Sequence, residues 1–209
     1  MANETANKSA DETSFFSEIF KKSRAVGILG SRNSGKTAMC FYISQFTDLN
    51  VHIFNYPKRE LLPSNWKIVY DFEELIKITD SFIIIDEPQL YIPIYEKTAN
   101  IKFMKLLSLM RQKDNILVTA TSDSRFYTRG LESYIDTWIL KDIDFETLKQ
   151  GSKASKIIKK NSLISPEAFK LDVNEYVLED RNFKEYCGRH TFNLPAFWKE
   201  EMSKAFKII

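Results

Sequence analysis

A glycine-rich segment between two apolar runs has the residue types that bind phosphate. In GSRNSGKT, residues 30–37, two glycines stand five positions apart, and lysine and threonine follow the second. Glycines let the backbone bend around a phosphate, and N–H groups at a helix N-terminus solvate its charge without side-chain bulk. The pattern therefore predicts a nucleotide-binding loop between a buried strand and a helix.

Each part of an ATP site can be assigned within this loop. Lys36 is expected to reach the β- and γ-phosphates as a point charge, and the Thr37 hydroxyl is expected to coordinate Mg²⁺. ATP and Mg²⁺ are the predicted cofactors. The residues predicted to contact the nucleotide are Gly30, Ser31, Arg32, Asn33, Ser34, Gly35, Lys36, Thr37 and Ala38.

An acidic pair ends the apolar run FIIIDE, residues 82–87. Ligands of parallel sheets bind beyond the carboxyl ends of the strands, so this pair is expected on the same rim as the loop. Asp86 would hold the Mg²⁺ hydration shell, and Glu87 would orient or deprotonate the attacking water as the catalytic base. A glutamate beside the Mg²⁺-binding aspartate favours hydrolysis over transfer to another acceptor. The alternative is a pair of acids that only caps the strand where it meets solvent.

A third feature is the polar end of ILVTATS, residues 116–122. A hydroxyl there could hydrogen-bond the γ-phosphate or the attacking water, and Ser122 is assigned this sensor role, with Thr121 as the other candidate. Threonine is also simply a good strand former, which is the interpretation preferred for Thr119.

Arginines form the fourth group. Phosphoryl transfer gains large rate factors from a cation near the γ-phosphate, and a neighbouring subunit can supply it. Arg111, which precedes the ILVTATS segment, and Arg125 and Arg129, which follow it, are the candidates. Each of them could equally be a solvated surface residue.

The elements that must position these residues alternate along the chain. Apolar strand patterns precede the loop and occupy 51–56, 67–71, 82–87, 116–122 and 137–141, while helical spacing marks 14–23, 36–46, 72–79 and 100–112. Asp71 is expected to cap the helix that begins at Phe72. Strands that alternate with helices predict an α/β fold with a mostly parallel, doubly wound sheet flanked by helices.

Length and composition indicate one α/β domain with extensions. The chain has 209 residues, 44% of them hydrophobic. We expect a flexible tail at 1–13, an ATPase core at 14–141, and a carboxy-terminal extension at 142–209 that packs on the core. A basic segment at 149–160 contains no acid; it could contact DNA phosphates or form a solvated face. Its lysines are Lys149, Lys153, Lys156, Lys159 and Lys160.

Charge, cysteine content and hydropathy bear on nucleic-acid binding, on metal or disulfide sites and on location in the cell. The net charge of +2 is too small to identify a nucleic-acid binder by itself. Cys40 and Cys187 have neither metal-ligand spacing nor a disulfide pattern, which fits a reducing cytoplasm, and His52 and His190 are expected to be structural. With no signal-peptide pattern and no apolar run long enough to span a membrane, the protein is expected in the cytoplasm.

The order of these motifs resembles the HerA/FtsK group of P-loop ATPases. The matching segments are GSRNSGKT, FIIIDEPQ and LLSLMRQKDNILVTATS, which lie within residues 25–141. Members commonly carry glutamine at the strand end where this sequence has Ser122. The short chain most resembles the small genome-packaging ATPases of membrane-containing icosahedral viruses, including archaeal ones. The resemblance implies a P-loop NTPase fold (RecA/FtsK-like) and, for a viral protein, a location in the host cytoplasm or in the virion.

This resemblance implies a homo-oligomeric ring, with a hexamer expected, that hydrolyses ATP and threads double-stranded DNA through its channel. It implies Arg111 as the arginine supplied in trans, the lysine segment as a DNA-facing surface, and viral capsid or membrane-vertex proteins as further partners. Three other functions stay open: an assembly or secretion ATPase with a protein partner, a cellular HerA-like translocase, and a slow nucleotide-dependent switch. Salt-sensitive DNA binding would favour the translocase.

Overall fold

The computed structural model describes residues 15–92, 97–127, 131–143, 156 and 170–205. The predictions for the tail at 1–13, for Arg129 and for the basic segment as a whole lie outside these residues. Lys156 is the one lysine of that segment that is described, and it is exposed.

Eight strands form one sheet within the described residues, in the order β3-β2-β4-β5-β1-β6-β7-β8. The first six strands of this order pair in parallel, whereas β7 pairs antiparallel with β6 and with β8. The strands are β1 Ala25–Leu29, β2 Asn50–Phe54, β3 Lys67–Val69, β4 Ser81–Asp86, β5 Ile116–Thr121, β6 Thr137–Leu140, β7 Glu175–Asp180 and β8 Gly188–Thr191.

Helices cover both faces of this sheet, so the predicted α/β fold with a mostly parallel sheet is confirmed. The helices are α1 at residues 15–22, α2 Lys36–Ile43, α3 Phe72–Lys77, α4 Lys97–Leu109 and α5 Glu200–Ser203. The Asp71 side chain accepts a hydrogen bond of 3.0 Å from the Glu73 N–H, which confirms the predicted cap of α3. Short 3₁₀ turns include Ser44–Phe46, Pro88–Leu90 and Ser124–Tyr127.

The apolar run of β4 is buried on two sides. Phe82 and Ile84 belong to the core under α1 and α2, while Ile83 and Ile85 belong to the core under α3 and α4. Successive side chains of a strand point to opposite faces, so a central strand covered on both faces needs apolar residues at every position. This is why FIIIDE lacks the alternation of a half-exposed strand.

The register brings the functional strand ends to one level. Asp86 pairs with Ala120, Leu29 pairs with Thr121, and Leu29 also pairs with Leu140 on its other side. The carboxyl ends of β4, β5, β1 and β6 therefore meet along one rim, where the loop after β1 begins.

Residues beyond the last parallel strand return to the core. After β7 and β8, the chain crosses α2, where Phe197 and Trp198 contact Phe41 at ring-centroid distances of 6.2 and 5.7 Å. The Tyr56 hydroxyl donates to the Met202 carbonyl over 3.2 Å. We call residues 192–205 the carboxy-terminal strap; it covers the helix that carries Lys36 and Thr37.

Several boundaries differ from those expected. Helix α4 begins at Lys97 and ends at Leu109, three residues earlier at each end than predicted, and a hydrogen-bonded turn follows it, with Asn115 N–H donating to the Met110 carbonyl over 2.9 Å. The strand β4 ends at Asp86, because Glu87 takes a left-handed conformation with φ of 48°.

No helix among the described residues is both long and apolar enough to cross a membrane. Both cysteines are free thiols: Cys40 is buried on α2 and Cys187 is partly exposed. Burial raises the pKa of the Cys40 thiol well above its usual value.

Candidate nucleotide-binding site

The loop predicted to bind phosphate joins β1 to α2. Gly35 immediately precedes α2 with φ of 88° and has no side chain to cap the helix. The first N–H groups of an α-helix have no partner within the helix, and its dipole favours negative charge there. The start of α2 therefore presents N–H groups suited to an anion.

The loop has no room for a side chain at either of its two glycines. A Cβ atom at Gly30 would lie 2.5 Å from the Ser34 Oγ and 2.6 Å from the Lys141 Cβ. A Cβ atom at Gly35 would lie 2.8 Å from the Val173 carbonyl oxygen, in a backbone conformation that L side chains rarely adopt. The loop is thus packed closely against the ends of β6 and of the segment before β7.

Lys36 lies inside the loop rather than in solvent. Its ammonium donates to the Ser31 carbonyl over 2.9 Å and lies 3.4 Å from the Glu87 Oε1, with only 5% of the side chain exposed. In contrast, Arg32 and Asn33 are exposed at the loop tip, and Ala38 is buried in α2. The Ser34 hydroxyl is buried and has no hydrogen-bond partner among the described residues.

Thr37 and Asp86 lie together at the centre of the rim. The Thr37 hydroxyl donates to the Asp86 Oδ2 over 2.6 Å. Asp86 is 1% exposed, and its Oδ1 has no hydrogen-bond partner among the residues that the structure describes. Burial raises the pKa of Asp86 to about 6, and the hydrogen bond from Thr37 opposes that shift.

These oxygens fit a hard cation. A buried carboxylate oxygen without a partner, beside a hydroxyl oxygen, offers the ligands that Mg²⁺ prefers. The described residues contain no group of three or more His, Cys, Asp and Glu side chains able to hold a metal ion. Thr37 and Asp86 are the residues whose oxygens would hold a Mg²⁺ ion.

Glu87 is held from two sides. Its Oε1 faces Lys36, while its Oε2 accepts hydrogen bonds of 3.3 Å from both the N–H and the hydroxyl of Ser122. The Glu87 N–H donates to the Ala120 carbonyl over 2.7 Å, so the turn after β4 is fixed to β5. The structure therefore brings together Lys36, Thr37, Asp86, Glu87 and Ser122.

Sequence reasoning missed Gln89, whose amide lies between the two strand ends. Its Nε2 donates to the Glu87 Oε2, and its Oε1 accepts a 2.7 Å hydrogen bond from the Thr121 hydroxyl. The available signal was its position two residues after Glu87 in FIIIDEPQ. Thr119 instead hydrogen-bonds with the buried Tyr127 hydroxyl over 2.8 Å, as expected of a residue within the strand.

Lys141 and Asp142 form the floor of the loop and were also missed. The Asp142 carbonyl accepts hydrogen bonds from the Ser31 N–H at 2.7 Å and the Ser31 hydroxyl at 2.9 Å. The ammonium of Lys141 donates to the Val173 and Glu175 carbonyls, the first over 2.7 Å. Burial lowers the pKa of Lys141 to about 7, although the Glu175 and Asp142 carboxylates oppose the shift. A lysine at the end of TWILK was the only sequence signal.

The structure does not bring Arg111 to the phosphate loop of its own chain. It follows α4 at the amino-terminal edge of the sheet, in a cleft of about 290 Å³ with Arg24, Leu107, Met110, Tyr134 and Asp136. Its guanidinium lies 3.7 Å from the Asp136 carboxylate, and 69% of the side chain is exposed. A six-residue strand such as β5 spans about 20 Å, which separates this edge from the loop.

Arg125 lies nearer to the rim, just beyond β5. Its guanidinium donates to both oxygens of Asp123 at 2.9 Å. The Asp123 pKa is lowered chiefly by this pairing.

The sheet, its flanking helices and the loop after β1 form the fold of P-loop ATPases. No protein-family model matches the chain, and no curated protein matches it by sequence. Solved structures do match it. The genome packaging NTPase B204 from Sulfolobus turreted icosahedral virus 2, in complex with sulfate, has a TM-score of 0.60 at 17% identity, covering 82% of this chain and 98% of that chain.

Two further structures extend the comparison. B204, the DNA-packaging ATPase from Sulfolobus turreted icosahedral virus, matches with a TM-score of 0.53 at 15% identity, covering 82% of this chain and 98% of that chain. The cytoplasmic domain of the type VII secretion ATPase EccC from Thermomonospora curvata matches with a TM-score of 0.54 at 10% identity, covering 84% of this chain but 24% of that chain.

These neighbours are ATPases, and they match the resemblance inferred from the sequence motifs. B204 has also been solved in complex with ATP-gammaS, AMPPCP and AMP, which supports nucleotide binding by this fold. At these identities the likeness establishes the fold.

Proposed function

We propose that the protein is a Mg²⁺-dependent ATPase that uses ATP hydrolysis to move double-stranded DNA, in the packaging of a viral genome. The observation that carries the enzymatic part is the convergence of Lys36, Thr37, Asp86 and Glu87 at one rim. There a buried cation and a carboxylate lie 3.4 Å apart, beside a carboxylate oxygen that lacks a partner among the described residues.

Each of these residues has a distinct role in hydrolysis. Lys36 exchanges its present partners, the Ser31 carbonyl and Glu87, for the β- and γ-phosphates. Thr37 and Asp86 would hold Mg²⁺, and the bound ion would supply charge neutralisation on the phosphates. Glu87 orients the attacking water and accepts its proton, and Ser122 fixes the carboxylate. The water oxygen bonds to the γ-phosphorus as the bond from that phosphorus to the bridging oxygen breaks, which releases ADP and phosphate. Withdrawal of Lys36 toward phosphate leaves the Glu87 Oε1 available for that proton.

DNA as the substrate is supported by two observations. This chain covers 98% of each of two solved structures, one named as a genome packaging NTPase and the other as a DNA-packaging ATPase. Residues 149–160 also carry five lysines and no acid, as a surface that contacts DNA phosphates requires. A homo-oligomeric ring, with a hexamer expected, places duplex in its channel and leaves capsid proteins as further partners.

The test is ATP turnover of the full chain with Mg²⁺, with and without duplex DNA. We expect duplex to stimulate turnover and added salt to suppress the stimulation. Glu87→Gln should lower kcat by about 100-fold or more while ATP still binds. The matched control is Asp48→Asn, which removes an exposed carboxylate away from the site. If ATP turnover does not change when DNA is added, the protein is not a DNA translocase. If the Glu87→Gln variant remains active, Glu87 is not the catalytic base.

A secretion or assembly ATPase is the second candidate, favoured by the likeness to EccC over 84% of this chain. It predicts that turnover responds to a protein partner and is indifferent to duplex. The same assay, with single-stranded and double-stranded DNA compared at two salt concentrations, separates these functions.

A further inference from the structure

Gln89 joins the end of β5 to the predicted catalytic base. The Thr121 hydroxyl donates to the Gln89 Oε1 over 2.7 Å, and the Gln89 Nε2 donates to the Glu87 Oε2. The Thr121 hydroxyl oxygen in turn accepts a 3.0 Å hydrogen bond from the Asp123 N–H. A continuous chain of hydrogen bonds therefore runs from the turn after β5 to the carboxylate of Glu87.

The chemistry of an amide suits this position. A glutamine side chain carries a carbonyl acceptor and an NH₂ donor, so it can accept from a hydroxyl and donate to a carboxylate at the same time. A glutamate could not donate to Glu87 when ionised, and an aliphatic side chain could do neither. Replacing the amide therefore breaks both contacts at once.

The backbone holds Gln89 in a fixed place. It is the middle residue of the 3₁₀ turn Pro88–Leu90, whose first residue is a proline with a restricted φ. The Leu90 N–H donates to the Glu87 carbonyl over 3.0 Å, and the Ile92 N–H donates to the Pro88 carbonyl over 2.8 Å. A side chain on such a turn loses little further freedom when it binds Glu87, so it can define the carboxylate orientation.

Other contacts leave that orientation incompletely defined. Ser122 reaches only the Oε2 of Glu87, through two long hydrogen bonds of 3.3 Å. Lys36 lies 3.4 Å from the Oε1 and is the cation expected to move to the nucleotide. When Lys36 is engaged with phosphate, Gln89 and Ser122 are the remaining described partners of the Glu87 carboxylate.

We propose that Gln89 is a positioning residue that fixes the Glu87 carboxylate for attack on ATP and ties its orientation to Thr121 at the end of β5. This inference rests on the proposed hydrolytic function. It assigns Thr121 a role through Gln89 rather than through direct contact with the γ-phosphate. Movement of the β5 end would then change the rate of the chemical step without changing how tightly ATP binds.

The test measures kcat, KM and thermal stability of Gln89→Ala and of Gln89→Met, which nearly preserves shape. Misplacement of a catalytic group by about 1 Å can cost roughly 100-fold in rate. We expect kcat to fall by about 10- to 100-fold in both variants, with KM within about threefold of wild type. Gln45→Ala is the matched control, because Gln45 is exposed in the 3₁₀ turn that follows α2.

A double-mutant comparison tests the link to Thr121. Thr121→Val keeps the branched shape and should lower kcat less than Gln89→Ala does. The combined variant should be no slower than Gln89→Ala alone, because Thr121 acts through the amide. If the combined variant lowers kcat by the product of the two separate reductions, the link to Thr121 is overturned. A Gln89→Met variant with kcat within twofold of wild type would overturn the positioning role.

Failure of this inference is distinguishable from failure of the proposed function. If Glu87→Gln abolishes turnover while both Gln89 variants remain fully active, only the role of Gln89 is wrong. If Glu87→Gln retains wild-type turnover, the assigned base is wrong and the role of Gln89 is overturned with it.

Discussion

Asp86 combines burial with an incomplete set of hydrogen bonds. One oxygen accepts from Thr37, and the other has no partner among the described residues. An ionised carboxylate in such a place is costly to bury, which is why burial raises its pKa. The geometry that suits Mg²⁺ therefore destabilises the protein when neither metal nor nucleotide is bound.

We predict that Asp86→Asn stabilises the metal-free protein while abolishing ATP turnover. Asparagine removes the buried charge and keeps a carbonyl oxygen that can accept from Thr37. The expected gain in free energy of unfolding is about 1–3 kcal/mol at neutral pH, measured by urea denaturation in EDTA. Asp48→Asn, at an exposed position, should change stability by less than about 0.5 kcal/mol. A less stable Asp86→Asn protein would show that the carboxylate contributes to the fold.

Individual residues of the site differed in how well the sequence predicted them. Lys36, Thr37 and Asp86 follow from motifs whose spacing fixes their position, and the structure brings them together. The contacts of Gln89 could not be predicted, because the chain leaves the extended conformation at Glu87, which is left-handed, and enters a 3₁₀ turn. Lys141 was equally hidden, since only the three-dimensional fold puts the end of β6 beneath the loop.

At the scale of elements, Lys141 connects the end of β6 beneath the phosphate loop to the start of β7, because its ammonium donates to the Val173 and Glu175 carbonyls. Its pKa is lowered from 10.5 to about 7 in the folded protein, so between these values the unfolded chain holds more protons than the folded chain. The free energy of unfolding therefore rises with pH in this window, by at most about 1.4 kcal/mol per pH unit for one group. Below pH 7 both states are protonated and the full cost of burial remains.

The prediction concerns the stability of wild type relative to Lys141→Met, measured by urea denaturation at pH 7, 8 and 9. The free energy of unfolding of wild type should increase relative to that of Lys141→Met as pH rises, because only wild type carries the buried amine. Lys67→Met, which replaces an exposed lysine on β3, should show no comparable trend. A constant difference between wild type and Lys141→Met would mean that the amine keeps an ordinary pKa in the folded protein.

The last strand β8 and the carboxy-terminal strap were the least predictable parts of the fold. β4 and β5 are buried along their whole length, so the sequence shows them as continuous apolar runs. β8 lies at the sheet edge and alternates between intermediate and exposed residues, so it has no such run. The four-residue α5 is too short to show a helical period. Its burial comes from tertiary packing on α2, which local sequence patterns do not encode.

We predict that Met202→Ala destabilises the protein by about 2–4 kcal/mol, because Met202 belongs to the strap and its side chain is fully buried in the core. The measurement is urea denaturation, with Leu194→Ala as a control at a residue that is 50% exposed. Leu194→Ala should cost less than about 1 kcal/mol. A loss below about 1 kcal/mol from Met202→Ala as well would show that the strap adds little packing energy to α2.

At the scale of the whole molecule, the two candidate halves of the active site lie on opposite edges of the sheet. The phosphate loop is at the carboxyl edge, and the cleft containing Arg111 is at the amino edge. An arginine of one subunit can approach the γ-phosphate of the next only if these different surfaces meet. Such head-to-tail contacts close into rings when the rotation between subunits allows it. The position of Arg111 is therefore compatible with a role in trans and excludes one within its own chain.

Complementation between two inactive variants tests this arrangement. Arg111→Ala keeps Glu87, and Glu87→Gln keeps Arg111, so each protein alone should be nearly inactive. In an equal mixture about one quarter of interfaces pair an intact Glu87 with an intact Arg111, and turnover should recover to about that fraction of wild type. Lys113→Ala, which removes a cation from the same turn, should be active without mixing. If the mixture never exceeds the sum of its two components, Arg111 does not act across a subunit interface.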